Sequence, residues 1–323
     1  MSDTLRIVLA ALSGFILTFV LLYFLPFGKT LLGHDRGRKY VEGSEVNIGK
    51  PTGVGIYFSL VLTIVCACFC KGGTGVYLIL ILTFLMSVIG FLDDRSATPW
   101  GEYSKGALDF VVGILAAIAF VRFLGSSVVL GITGSEFIVN PILYAILAVI
   151  LFVVSINATN ATDGVDGLSG TLAILSVLTL IAASYIRGTL TVTGLVLCVS
   201  LIFVLAAYLI FNRYPSKMLM GDAGSRAVGF FLAFLFMYLK LPFAYLIVGL
   251  PFLLDGGLSI LKITIGRLTH KKIIILKNIV TPVHDHLKKK LGFSVPKTRA
   301  VICLIALVID VIYVALASVV GLS

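Results

Sequence analysis

Charge is scarce in this chain. Only 12% of its 323 residues are Asp, Glu, Lys or Arg, where a soluble domain carries about 25%. Hydrophobic residues make up 59%, and the mean hydropathy is +1.12. That balance excludes an ordinary soluble core and points to a single polytopic membrane domain over 1–323. Cysteine is sparse too. Cys66, Cys68, Cys70, Cys198 and Cys303 all lie inside apolar runs, without the company that a zinc site or a disulfide framework needs. The sequence also lacks a Walker A segment, a Rossmann glycine fingerprint and a His-Glu-x-x-His pair, so ATPase, dehydrogenase and zinc-protease readings have no support. It has no internal repeat and no low-complexity segment. The first apolar run, 5–26, is too long for a signal h-region and has no Ala-x-Ala exit, so no cleavable signal peptide is expected.

What is present is a series of apolar windows. Ten helices are expected, at about 5–26, 53–70, 75–92, 106–123, 141–157, 168–186, 190–211, 226–240, 242–265 and 300–321. The ninth contains Pro251, Asp255, Gly256, Gly257 and Lys262 and is expected to be kinked or broken. Residues 124–140 are expected to form a small hairpin. The segments after helices 1, 3, 5, 7 and 9 hold 20 of the 25 Lys and Arg residues. By the positive-inside rule those loops are cytoplasmic and both termini are outside. The net charge of +10 reports that orientation before it reports an anionic partner, and no nucleic-acid partner is expected.

The polar residues gather in the same odd-numbered loops. Asp93-Asp94 end helix 3. Residues 155–168 are expected to fill the loop after helix 5 and offer Asn157, Asn160, Asp163 and Asp166 at three-residue intervals. Asn212 and Met220-Gly221-Asp222-Ala223-Gly224-Ser225 follow helix 7, and His284-Asp285-His286 follow helix 9. Singly, each is an ordinary cap or turn. Together they place six acids, three asparagines and two histidines on one face, which a purely structural reading does not require. The chemistry suggested is phosphoryl transfer, which depends on positioning and on neutralising oxygens with a metal and cations. Magnesium prefers a few carboxylates plus substrate phosphates and water. Asp93, Asp94 and Asp222 suit such a role, and Lys105, Lys50 and the histidines suit a diphosphate.

In order and spacing these motifs resemble the polyprenyl-phosphate N-acetylhexosamine-1-phosphate transferases, over about residues 30 to 300. Within that superfamily the phospho-N-acetylmuramoyl-pentapeptide branch is the most similar. The resemblance implies a bacterial cytoplasmic-membrane enzyme, with UDP-N-acetylmuramoyl-pentapeptide and undecaprenyl phosphate as substrates, Mg2+ as cofactor and a homodimeric state. It implies that Asp222 binds metal, that Asp93 and Asp94 are the catalytic pair, and that His284 is catalytic. It implies substrate contacts for Asn160, Asp163, Asp166, Asn212, Lys105, Thr52 and His286. There are departures. Asp285 replaces a middle histidine, and an Asp there would orient or protonate a neighbouring imidazole. Leu219 stands where an aromatic residue commonly stacks on uracil. The first loop carries Asn47, with Lys50 or Lys39 as substitutes for a usual lysine. The close alternative is a sister transferase using UDP-N-acetylglucosamine; a remote one is a secondary transporter. Asp109 is expected to pair with Lys105, and Lys288-Lys289-Lys290 to meet lipid headgroups. Asp255 is expected to stabilise a broken helix or to reach the site.

Overall fold

The computed structural model describes residues 1–24, 32–35, 48–270, 272–273 and 275–320. Its helices are α1 (Asp3–Phe24), α2 (Gly55–Phe69), α3 (Thr74–Arg95), α4 (Glu102–Leu124), α5 (Pro141–Thr162), α6 (Leu168–Ile186), α7 (Val192–Asn212), α8 (Gly221–Tyr238), α9 (Tyr245–Val248), α10 (Leu250–Phe252), α11 (Leu258–Leu268), α12 (Val283–Lys289) and α13 (Val295–Val320). The chain is thus an all-helical, multi-pass membrane protein. Among the described residues, seven helices are long and apolar enough to cross a membrane, or eight if the pair Pro242–Val248 and Leu250–Leu268, bent by 58°, is one broken span. Helix occupies each of the ten expected windows. However, α2 has only 15 residues, and α8, which carries Asp222 and Arg226, is not among the seven.

The core is organised around α8. Every residue from Ala223 to Met237 is buried, the pattern of a helix apolar on all sides and enclosed by others. It packs against α2, α3 and α5. Small residues permit that approach: a Cβ on Gly90 of α3 would lie 2.3 Å from the backbone of Asp222, and one on Gly55 of α2 would lie 2.1 Å from Gly224. On the outside, α1 turns Leu12, Ile16 and Leu17 outward, and α13 turns Leu304, Val308, Val311 and Ile312 outward. In a membrane these faces meet lipid.

Strands are minor. β3 (Ser127–Val129) and β4 (Glu136–Ile138) make the expected hairpin between α4 and α5, with Val128 opposite Phe137. β1 (Gly33–His34) pairs antiparallel with β2 (Pro51–Thr52), a contact the sequence did not announce. All five cysteines are free. Lys39 and Asn47 lie outside the described residues.

Several element ends differ from expectation, and the differences set the site. α5 remains helical through Thr162, so Asn157 and Asn160 are not in a loop but on one face of a helix, three residues apart. Asn157 Nδ2 donates to Val153 O at 2.9 Å, a side-chain bond that follows the helix. α4 begins at Glu102 and carries Lys105, while α8 begins at Gly221 and carries Asp222 in its first turn. Between α9 and α11 the chain adopts a π-helical turn, Leu253–Gly257, where the kink was expected.

Candidate active site

The ends of α3, α5 and α7 meet the starts of α4, α6 and α8, so residues distant in sequence converge at one end of the bundle. Lys105 is the centre of the cluster. Its Nζ lies 2.8 Å from Asp222 Oδ2 and also pairs with Asp93. Asp222 Oδ1 accepts from Asn160 Nδ2 at 2.9 Å, and the same amide donates to Ser225 Oγ at 2.9 Å. Asp93 Oδ1 accepts the backbone N–H of Trp100 at 2.6 Å.

Asp94 is used differently. Its two oxygens accept the backbone N–H groups of Asp222 at 3.1 Å and Ala223 at 2.9 Å. A carboxylate at the C-terminal end of α3 faces unfavourable carbonyl dipoles, but the same group stands at the N-terminus of α8, where unpaired N–H donors favour it. Gly221, at φ +66°, makes this approach possible, since a Cβ there would lie 2.4 Å from Asp94 Oδ2.

Beneath the cluster is a buried pair that local spacing did not suggest. Asp109 does not pair with Lys105, four residues before it. It pairs with Arg226 of α8 and accepts from Asn157 Nδ2 at 3.1 Å. The reason is direction: Lys105 points to the two site carboxylates, leaving Asp109, fully buried, to the guanidinium. Arg226 also comes within 3.9 Å of Asp222 Oδ2. Arg226 at i+4 from Asp222 was the one available signal.

A second group holds the loops. Asn212, buried, accepts the N–H of Gly167 at 2.9 Å and donates to Met218 O at 2.9 Å. Asp166 accepts both the N–H and the Oγ–H of Ser216, each at 2.9 Å, and Lys50 Nζ donates to Ser216 Oγ at 3.0 Å. Asp163 caps α5, its N–H donating to Asn160 O at 3.2 Å. Leu219 is pinned by backbone bonds, its N–H to Pro51 O at 2.9 Å and its O from Val54 N–H at 3.3 Å. Thr52 lies next to it on β2.

His284 and His286 stand at the start of α12. His284 bonds through Nδ1 to Asp255 Oδ2 at 2.8 Å, while Asp285 Oδ1 lies 3.8 Å from its Nε2. The carboxylate that orients this imidazole is therefore Asp255, contributed by the broken helix, and Asp285 is the more distant one. Asp285 is occupied by Lys288 and Lys289, both at 3.1 Å, and Lys290 donates to Asn278 O at 2.9 Å. The lysine run is thus largely engaged by its own protein. Burial pushes the Asp285 carboxyl up, but His284, Lys288 and Lys289 together hold it below the usual range. His286 Nδ1 accepts the N–H of Val280 at 3.2 Å and is not brought to the Asp93–Lys105–Asp222 cluster by any hydrogen bond among the described residues.

Among the described residues, no three of His, Cys, Asp and Glu gather as a self-sufficient metal cage. The donor set nonetheless suits a cation. Asp93 and Asp222 already share one, the Lys105 ammonium. A magnesium-like ion takes few protein ligands and completes its shell with water and phosphate.

Carboxylates, an ammonium and an imidazole at one end of a multi-pass helical bundle suit a membrane enzyme that handles phosphorylated substrates. Residues 76–240 match the family described as glycosyl transferase family 4. A phospho-N-acetylmuramoyl-pentapeptide-transferase of Treponema pallidum (strain Nichols) is 33% identical over 303 residues, covering 88% of this chain and 82% of that protein. A protein of the same name from Lactobacillus acidophilus is 36% identical over 122 residues, covering 38% of this chain and 36% of the relative. The chain belongs to glycosyl transferase family 4 and is a phosphoglycosyl transferase. That membership sets aside the transporter reading.

Proposed function

We propose that the protein transfers phospho-N-acetylmuramoyl-pentapeptide from its UDP carrier to undecaprenyl phosphate, in peptidoglycan synthesis. A phosphate oxygen of the lipid attacks the β-phosphorus of the nucleotide sugar. The bond from that phosphorus to the bridging oxygen breaks, and UMP leaves with the electron pair. The observation that carries this reading is the Lys105 ammonium held between Asp93 and Asp222 at the start of the buried α8, in a chain whose long relatives carry that enzyme name.

A lipid phosphate monoester has a second pKa of about 6, so at neutral pH it is mostly a dianion and needs little help from a base. Asp93 accepts its residual proton and aligns it with Lys105. Asp222, with Asp93 beside it, would hold Mg2+, and the ion would neutralise charge on the diphosphate. Asp94 holds Asp222 in place through the α8 backbone. Asn160, Asp163, Asp166, Asn212 and Thr52 form and brace the nucleotide-sugar side, and His284 and His286 flank it.

The chain crosses the bacterial cytoplasmic membrane ten times, with both termini outside and the site on the cytoplasmic face. The lysine and arginine distribution supports this topology, as does the gathering of the site at one end of the bundle. A homodimer follows from the family likeness. Competition between UDP-N-acetylmuramoyl-pentapeptide and UDP-N-acetylglucosamine for UMP release tests the substrate. The first is expected to be used; use of the second in its place would assign the protein to the sister transferases.

A further inference from the structure

Asp255 grips His284 at two points. Its Oδ1 accepts the backbone N–H of His284 at 2.7 Å, and its Oδ2 meets Nδ1 at 2.8 Å. Both residues are almost wholly withdrawn from solvent, with 2% and 3% exposure. An ionised carboxylate can only accept, so Nδ1 carries the hydrogen and Nε2 is left as the open ring nitrogen.

That nitrogen has a defined direction. A Cβ placed on Gly164 would lie 2.4 Å from Nε2, so the ring points into the 163–167 loop that carries Asp163 and Asp166. Asp255 in turn is rigidly placed. It sits in the π-helical turn, a local distortion often found at functional sites. Its neighbour Gly256 packs so closely on α5 that a Cβ would lie 2.3 Å from Ala158 O. The turn therefore references His284 to the same helix end that presents Asn160 to Asp222. The other charges around the ring are Asp285, 3.8 Å from Nε2, Lys288 and Lys289 that pair with Asp285, and Arg299, whose guanidinium lies against Gly167. None of them is bonded to Nδ1.

We propose that Asp255 is a positioning residue that fixes the first ring hydrogen of His284 on Nδ1, so that Nε2 is the ring atom turned to the substrate diphosphate, to which it donates when the ring is protonated. This rests on the transferase reading above. Asp255 itself touches no reacting atom; it acts through the imidazole.

Nitrogen-15 NMR of histidine-labelled full-length protein in lipid nanodiscs tests the tautomer, with the His284 signal assigned by its loss in His284→Gln. At a pH where the ring is neutral, the expected signature is a protonated Nδ1; a protonated Nε2 overturns the proposal. In UMP-release assays, Asp255→Asn is expected to lower kcat by about tenfold or more, with the KM for the nucleotide sugar unchanged. The same substitution is expected to add nothing in a His284→Gln background. A wild-type kcat in Asp255→Asn, or an equal loss in both backgrounds, overturns the proposal. If Asp255→Asn does not fold, the wild-type tautomer decides alone. If wild-type protein releases no UMP from the nucleotide sugar, the transferase reading fails, while the tautomer result still stands for or against Asp255.

Discussion

The carboxylate of Asp94 accepts the backbone N–H of Ala223 at 2.9 Å, tying the end of α3 to the start of α8. Its neighbour Asp93 faces the other way and pairs with Lys105. Two adjacent aspartates that look equivalent in sequence are therefore assigned different tasks: Asp94 fixes where α8 begins, and Asp93 faces the cation.

The two can be separated by substitution. Asp94→Ala removes a helix cap and is expected to cost about 1 kcal/mol, visible as a lower melting temperature, together with lost activity through misplaced Asp222. Asp93→Asn keeps an oxygen for the Trp100 N–H and is expected to lower the melting temperature less than Asp94→Ala does, while lowering UMP release on the order of 100-fold. The opposite pattern would exchange the two roles.

Arg226 and Asp109 form a buried pair between α8 and α4. Arg226→Met leaves Asp109 buried without its cation, a loss expected at about 3–5 kcal/mol. Replacing both residues, Arg226→Met with Asp109→Leu, is expected to recover much of that stability. Thermal unfolding of the single and double variants in detergent gives the comparison, and a double variant no more stable than the single one would contradict the pairing.

Asp285 supplies an acid-sensitive contribution to stability. Its folded-state carboxyl titrates below the ordinary range because His284, Lys288 and Lys289 outweigh the effect of burial. With the folded value lowered, the stabilisation is complete above the ordinary Asp value of about 3.9 and is lost as pH falls through the lower folded value. The melting-temperature gap between wild type and Asp285→Asn is thus expected to be constant near neutrality and to shrink only below about pH 4. A gap that widens on acidification would contradict the ion pairs.

Gly164 has no room for a side chain on the His284 side. Gly164→Ala is expected to displace the imidazole and lower kcat about tenfold or more, with little change in global stability because the loop is exposed there. Unchanged turnover would show that the ring position is not critical.

Much of this fold was legible because hydrophobic windows report helices directly, and the broken ninth segment was legible in Pro251, Gly256 and Gly257. The helix ends were not. Asn157 and Asn160 read as loop residues by composition, yet tertiary partners at Asp109, Asp222 and Ser225 keep their turns helical. The convergence of Asp93, Lys105, Asn160 and Asp222 was foreseen from their loops. The pairing within it was not, because partner choice depends on side-chain direction between residues as far apart in the chain as Asn160 and Asp222, or Lys105 and Asp222, which are 62 and 117 positions apart. Local spacing suggested Lys105 with Asp109 and Asp285 with His284. In both cases the nearer partner in sequence lost to one delivered by another helix.

Asp222 and Asp93 are assigned here to phosphoryl transfer from a UDP-linked muramoyl pentapeptide. UMP release from that nucleotide sugar, in wild type and in Asp222→Asn, with and without undecaprenyl phosphate and Mg2+, tests this assignment most directly. Release that requires both additions and falls by at least about 100-fold in Asp222→Asn is expected. Release that proceeds without the lipid phosphate, or at the wild-type rate in Asp222→Asn, would contradict the account.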